Sequence, residues 1–101
     1  MASLCDGFMM LPGGFGTLEE FFEVLTWLQL GLHQKPIGIL NTNGFYDFLL
    51  KQMDVMVEQR FLKPVNRELV LTSVSPIELV DLMIGFKATP DDVWFKDRNL
   101  T

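Results

Sequence analysis

Apolar residues in this chain come in two patterns, short unbroken runs and longer stretches at helical spacing. Residues 7–11 and 37–40 are apolar at every position, which predicts strands buried on both faces, as inside a parallel sheet. A third short run, Leu69-Val70-Leu71, predicts a third strand. Between the first two, Leu18, Phe21, Phe22, Leu25 and Leu28 form one stripe with Val24 at its margin. A helix is therefore expected to about Leu30, stopped by Gly31 as the residue after its C-cap. Glu19, Glu20, Glu23 and Thr26 share its other side, with Trp27 among them. A tryptophan in a polar stripe predicts a pocket wall or a subunit contact.

Phe45, Leu49, Met53, Met56 and Val57 mark a second helix, N-capped by Asn43 and ending near Gln59. Ser75-Pro76-Ile77-Glu78 opens a third, with a capping serine, proline in the first turn and glutamate three residues after the cap. Ile77, Val80, Met83 and Ile84 are expected to carry its apolar side. Beyond Phe86 the periodicity fades, and residues 87–101 read as a loose polar tail holding Trp94 and Phe95. The order β-α-β-α-β-α predicts an α/β fold, a Rossmann-like parallel sheet with flanking helices and right-handed crossovers. Three strands are few for a doubly wound sheet. Residues 1–86 are thus expected to be an incomplete portion of such a domain, or one that completes itself by association.

Composition narrows the partners. A formal net charge of −5 argues against a broad nucleic-acid or anionic-membrane surface. Any phosphate must then be held by local amides or a few local cations. The single cysteine, Cys5, excludes an internal disulfide and fits a reducing compartment; it has no activating neighbour and is expected to be inert. No apolar run approaches the ~20 residues of a membrane span, and the first six residues lack the features of a signal peptide. A soluble, cytoplasmic protein is expected. His33 has no second histidine or cysteine at metal-ligand spacing, so it is read as structural and no metal is expected. The six methionines read as core filling.

Chemistry concentrates in Leu11-Pro12-Gly13-Gly14-Phe15-Gly16-Thr17-Leu18-Glu19-Glu20, where a strand feeds a glycine turn and a helix start. Three glycines in four positions allow positive φ and close approach of another group. Thr17 is the expected N-cap, with Glu20 completing a capping box. First-turn amides without intrahelical acceptors, together with the helix dipole, make an anion site suited to phosphate. The stretch is no Walker A loop, because no Gly-Lys-Ser/Thr closes it. It is also a poor dinucleotide fingerprint. Glu19 stands where the third glycine belongs, and Asn41 and Asn43, not a carboxylate, follow the second strand.

Plainer accounts stand beside these. The turn could serve only to join strand to helix, and Glu20 only to cap. Glu19 and Glu23 suit a solvated helix face, and Thr26 a bond back along its own helix. In the functional account Glu20 is a carboxylate beside a bound sugar phosphate. There it would stabilise oxocarbenium character as an N-glycosidic bond breaks, or activate the attacking water.

The turn resembles the Pro-Gly-Gly-x-Gly-Thr-x-x-Glu signature of the Lonely guy family, the cytokinin riboside 5′-monophosphate phosphoribohydrolases. Two further blocks at family spacing extend the resemblance from Met1 to about Ile84. They are Glu23-Val24-Leu25-Thr26-Trp27-x-Gln29-Leu30-Gly31-x-His33-x-Lys35-Pro36 and Asn43-Gly44-Phe45-Tyr46. The resemblance implies a homodimer with active sites near the subunit interface. It implies hydrolysis of N6-substituted adenosine 5′-monophosphates to free base and ribose 5-phosphate, without metal or organic cofactor. Carried over by position, Gly13, Gly14, Phe15, Gly16, Thr17 and Leu18 would cradle the nucleotide's phosphate and ribose. Glu20 would be catalytic, with Glu19 and Thr26 as further substrate contacts. Family members also carry an upstream half with an Arg-Lys-x-x-Met segment, and Met1 aligns with that methionine. Without the arginine and lysine this chain is expected to be a shortened form with little turnover, or a nucleotide-binding or dimerisation module without chemistry.

Overall fold

The computed structural model describes residues 2–4, for their backbone, and residues 6–86. In chain order the strands are β1 (Ala2–Leu4), β2 (Gly7–Met10), β3 (Ile37–Leu40) and β4 (Val70–Ser73). The helices are α1 (Phe15–Gln29), α2 (Asp47–Glu58), α3 (Pro64–Arg67) and α4 (Pro76–Ile84), with a 3-10 turn over Thr42–Gly44. They form one four-stranded sheet in the order β1-β2-β3-β4. Strands β2, β3 and β4 are parallel, with Met9 opposite Gly38 and Gly38 opposite Leu71. Strand β1 adds antiparallel to β2, Ala2 opposite Met9. The expected α/β architecture with a parallel sheet is present.

Period-two alternation along the strands sorts the core into two layers. Met10, Ile37, Ile39 and Val70 face the layer built by α1 and α2, where they pack with Phe21, Leu28, Tyr46 and Met53. Met9, Leu40 and Leu71 face the other way and pack under Leu79 and Met83 of α4. Two successive crossovers in one direction put α1 and α2 on the same side, and α4 alone covers the second face. Gly38 sits under α4, where a Cβ would lie 2.8 Å from Leu79 Cδ1, so the close approach of helix to sheet needs a residue without a side chain.

Helix α1 buries the stripe its sequence predicts, with Phe21 and Leu28 inside and Leu18, Phe22, Val24 and Leu25 packed beside them. It ends as expected. Gly31 has φ +77°, its N–H bonds the Leu28 carbonyl at 3.0 Å, and Leu32 N–H reaches the Trp27 carbonyl at 2.9 Å, a Schellman closure. His33 is structural: Lys35 N–H donates to its Nδ1 at 3.1 Å, which leaves Nε2 to donate to the Val24 carbonyl at 3.0 Å.

Several expectations need correction. The N-cap of α1 is Gly14, not Thr17, so the helix starts three residues early and Glu20 is not placed to complete a capping box. Asn43 is not the cap of α2 either; it has φ +53° inside the 3-10 turn, and α2 begins after Tyr46. Phe45, counted in the buried stripe of α2, lies before the helix and is exposed. Strand β4 runs later than the 69–71 run, because Pro64–Arg67 form a short helix that uses up the preceding residues. Strand β1 and α3 carry too few residues to show a period. Ser75 does cap α4, accepting Glu78 N–H at 3.3 Å. The buried side of α4 is Leu79 and Met83, however, while Ile77, Val80 and Ile84 point outward. Cys5 and the expected tail over 87–101 lie outside the described residues.

Candidate functional site

In an open parallel sheet, ligands bind beyond the carboxyl ends of the strands, where the loops into the helices converge. The glycine turn lies there, after β2, next to the segment Asn41–Tyr46 that follows β3. The turn is rigidly braced. Tyr46, buried in the α1–α2 layer, donates its hydroxyl to the Leu11 carbonyl at 2.6 Å. Burial raises the Tyr46 pKa above its ordinary value, and the Gly13 backbone amide pulls against that rise. Both observations put one phenol across the neck of the turn. Tyr46 is itself held by Asn41, a buried side chain whose Oδ1 accepts Tyr46 N–H at 2.7 Å while its Nδ2 donates to Asp47 at 2.7 Å.

The three motif glycines do not share one reason for being glycine. None has the positive φ that their clustering suggested; among the glycines with described backbone that conformation belongs to Gly31 and Gly44. Gly13 is required by packing, since a Cβ there would press on the Thr17 side chain, 2.9 Å from its Cβ. Thr17 thus buttresses the turn from one helical turn along. Gly14 and Gly16 are different: a Cβ at either would meet nothing within 4 Å. Their surroundings are open, and neither backbone nor neighbours exclude a side chain.

The helix start is also left without its own cap. Gly14 offers no side-chain acceptor, the first turn holds no acidic residue, and the first helical bond in the turn runs from Leu18 N–H to the Gly14 carbonyl at 3.2 Å. The amides of Phe15, Gly16 and Thr17 therefore precede any intrahelical acceptor and face the positive end of the dipole outward. Such a helix start suits a phosphate without a cation. Glu19 and Glu20 follow in the second turn, both exposed. Phe15 stands at the rim, 92% exposed.

Gly13, Gly14, Phe15, Gly16, Thr17, Leu18, Glu19 and Glu20 thus share one end of α1. Thr26 is elsewhere, six residues beyond Glu20 and about 9 Å along the axis at 1.5 Å per residue. Its hydroxyl bonds back to the Phe22 carbonyl at 2.7 Å, and it lines a cavity of about 230 Å³ with Leu25, Gln29, Met53, Met56 and Asn66. The bracing pair Asn41 and Tyr46 was given no role from sequence, although Tyr46 closes the third family block. Among the described residues no three metal-ligating side chains come together, and no helix is long and apolar enough to cross a membrane.

Removing the brace should be measurable. Tyr46→Phe strands the Leu11 carbonyl in a half-open site and is expected to cost about 1 kcal/mol, read as a lower urea midpoint with unchanged slope. Nucleotide affinity should fall with it, because the turn is no longer held in its binding shape.

Comparison with known proteins gives a consistent picture. The family model described as possible lysine decarboxylase matches residues 1–83. The chain is 44% identical over 98 residues to cytokinin riboside 5′-monophosphate phosphoribohydrolase LOG5 of Arabidopsis thaliana, covering 97% of this chain and 43% of that protein. It is 50% identical over 80 residues to LOG3 of the same plant, covering 79% of this chain and 37% of the relative. A probable enzyme of the same name, LOGL6 of Oryza sativa subsp. japonica, is 43% identical over 93 residues, covering 92% and 37%. The chain spans less than half the length of these relatives.

Proposed function

The chain belongs to the Lonely guy family, and from that premise we propose that its glycine turn grips the 5′-phosphate of an N6-substituted adenosine monophosphate for hydrolysis of the N-glycosidic bond. The products are the free cytokinin base and ribose 5-phosphate, made by a cytoplasmic homodimer. One observation carries the reading most: the start of α1 has neither a side-chain cap nor a first-turn acid, and Gly14 and Gly16 open onto space that the protein does not fill. An anion supplies the missing cap, and the absent side chains let it reach the amides. With the helix starting at Phe15, Glu20 lies in the second turn, where capping does not account for it.

In the reaction, Glu20 stabilises the positive character that develops at the sugar as the base departs, and orients the water that attacks there. Glu19 lines the same rim, whereas Thr26, bonded to the Phe22 carbonyl and about 9 Å further along the helix axis, stands apart from it. The description as possible lysine decarboxylase fits the described lysines poorly. A Schiff-base amine is activated by desolvation or a neighbouring cation, and Lys35, Lys51 and Lys63 are all exposed. Lys35, Arg60, Lys63 and Arg67 precede β3 or β4 and so stand at the opposite end of the strands from the turn. With those four cations remote from the turn, the backbone amides at the start of α1 are the phosphate's principal donors in this reading. A non-catalytic nucleotide-binding module is the competing account that this arrangement favours.

The two separate on product. The chain is incubated in excess over N6-isopentenyladenosine 5′-monophosphate, and free base is sought by chromatography. Base release supports the hydrolase, nucleotide binding without release supports the module, and failure to bind nucleotide contradicts both.

A further inference from the structure

The segment joining β3 to α2 holds one charged residue that the site description leaves without a role. Asp47 stands in the first turn of α2, and its Oδ1 accepts the side-chain N–H of Asn41 at 2.7 Å. Around that contact the backbone is fixed. Asn41 N–H is bound to the Ser73 carbonyl at 2.8 Å, which ties the end of β3 to β4. Gly44 turns with φ +71°, and a Cβ there would stand 2.5 Å from Asp47 Oδ2. A side chain at Gly44 would therefore push the carboxylate from its place beside Asn41. With Asn41 held by the sheet, the orientation of its amide is what Asp47 decides.

A side-chain amide has two ends of similar shape and opposite hydrogen-bonding sense. Tyr46 N–H can only donate, so it needs the oxygen end of Asn41, which it reaches at 2.7 Å. A carboxylate oxygen accepts, so Asp47 takes the nitrogen end. Flipped, the amide would set its nitrogen against Tyr46 N–H and leave a buried donor without an acceptor. We propose that Asp47 is a positioning residue for the phosphate turn: it orients the Asn41 amide, which seats Tyr46 so that its hydroxyl holds the Leu11 carbonyl. The role rests on the phosphate reading above. It gives the Asn43-Gly44-Phe45-Tyr46 block a purpose at the site, since Gly44 makes room for the carboxylate and Tyr46 delivers the contact.

Charge alone predicts the opposite result. Removing an acid from a net-acidic chain should favour an anion, whereas Asp47→Ala is expected to weaken AMP binding about fivefold, the net worth of one hydrogen bond. Asp47 is exposed, so the fold should survive, which dichroism checks. Asp47→Asn keeps an acceptor oxygen for Asn41 and should restore the parent affinity. In a Tyr46→Phe background the link to Leu11 is already cut, so Asp47→Ala should cost no further affinity. Calorimetry with AMP reads each affinity. Unchanged or tighter binding in Asp47→Ala overturns the proposal. So does an equal loss in both backgrounds, or a loss that Asp47→Asn shares. The amide resonance of Gly13 in isotope-labelled protein reports the turn without any ligand. It should move in Asp47→Ala and in Tyr46→Phe and keep its place in Asp47→Asn. A resonance that ignores Asp47→Ala also overturns the proposal. A parent that binds no AMP while its Gly13 resonance follows Asp47 would overturn the phosphate reading and support the linkage.

Discussion

Glu20→Gln is expected to lower base release from an N6-substituted AMP by about 100- to 10,000-fold, the range of a lost general acid–base group, while leaving AMP affinity unchanged. Glutamine keeps the shape of the side chain but loses its charge and its ability to take a proton. Because α1 is capped at Gly14, the substitution breaks no capping box, and any stability change should stay within the small range usual for an exposed position. Single-turnover chromatography gives the rate, calorimetry the affinity and a thermal melt the stability. Parallel loss of rate and melting temperature would assign Glu20 to structure, against the mechanism. Loss of affinity with an unchanged rate would make it a ground-state binding residue.

The second large effect concerns the fold that carries the site. Gly38→Val is expected to destabilise the chain by about 2 kcal/mol, within the usual range for forcing methyl groups into a packed core. For a domain of this size that lowers the melting temperature by on the order of 10 °C. Leu79 is fully buried, and a Cβ at Gly38 would stand 2.8 Å from its Cδ1 and 3.2 Å from its Cγ. Something in that layer must shift, because the Leu79 side chain meets the added atoms inside a fully buried contact. A Leu79→Ala partner change should recover part of the loss by making room. A melt of Gly38→Val that matches the parent would mean that α4 is not seated as described.

Much of this was legible in the residues. Unbroken apolar runs gave β2 and β3 as interior strands, and the stripe on α1 gave its buried face and its stop at Gly31. The helix starts were less readable. Thr17 and Asn43 are good caps by composition, yet neither caps a helix, because a capping residue must also have the right backbone geometry. Thr17 sits under Gly13, already helical, and Asn43 turns with positive φ. On α4, helical period marked Ile77, Val80 and Ile84 as apolar without saying which side meets the sheet. Spacing along one helix cannot tell a core face from an outer one when both are apolar. Residue types alone also marked the glycines of the turn as a group. Only the surroundings separate Gly13, which packs on Thr17, from Gly14 and Gly16, which face open space. Tyr46 and Asn41 act through contacts with Leu11 and Tyr46 that lie 35 and 5 residues away in sequence, and no local pattern announces the longer one.

That difference among the glycines leads to the most direct test. Gly16 lies in the first turn of α1 with no neighbour to resist a methyl group, and alanine is the better helix former by about 1 kcal/mol. If the open space is reserved for a nucleotide phosphate, Gly16→Ala should raise the melting temperature and weaken AMP binding in calorimetry at the same time. Opposite movement of the two quantities is the predicted result. A variant that is more stable and binds AMP as well as the parent would contradict the account, because the amides at the start of α1 would then not be where the phosphate sits.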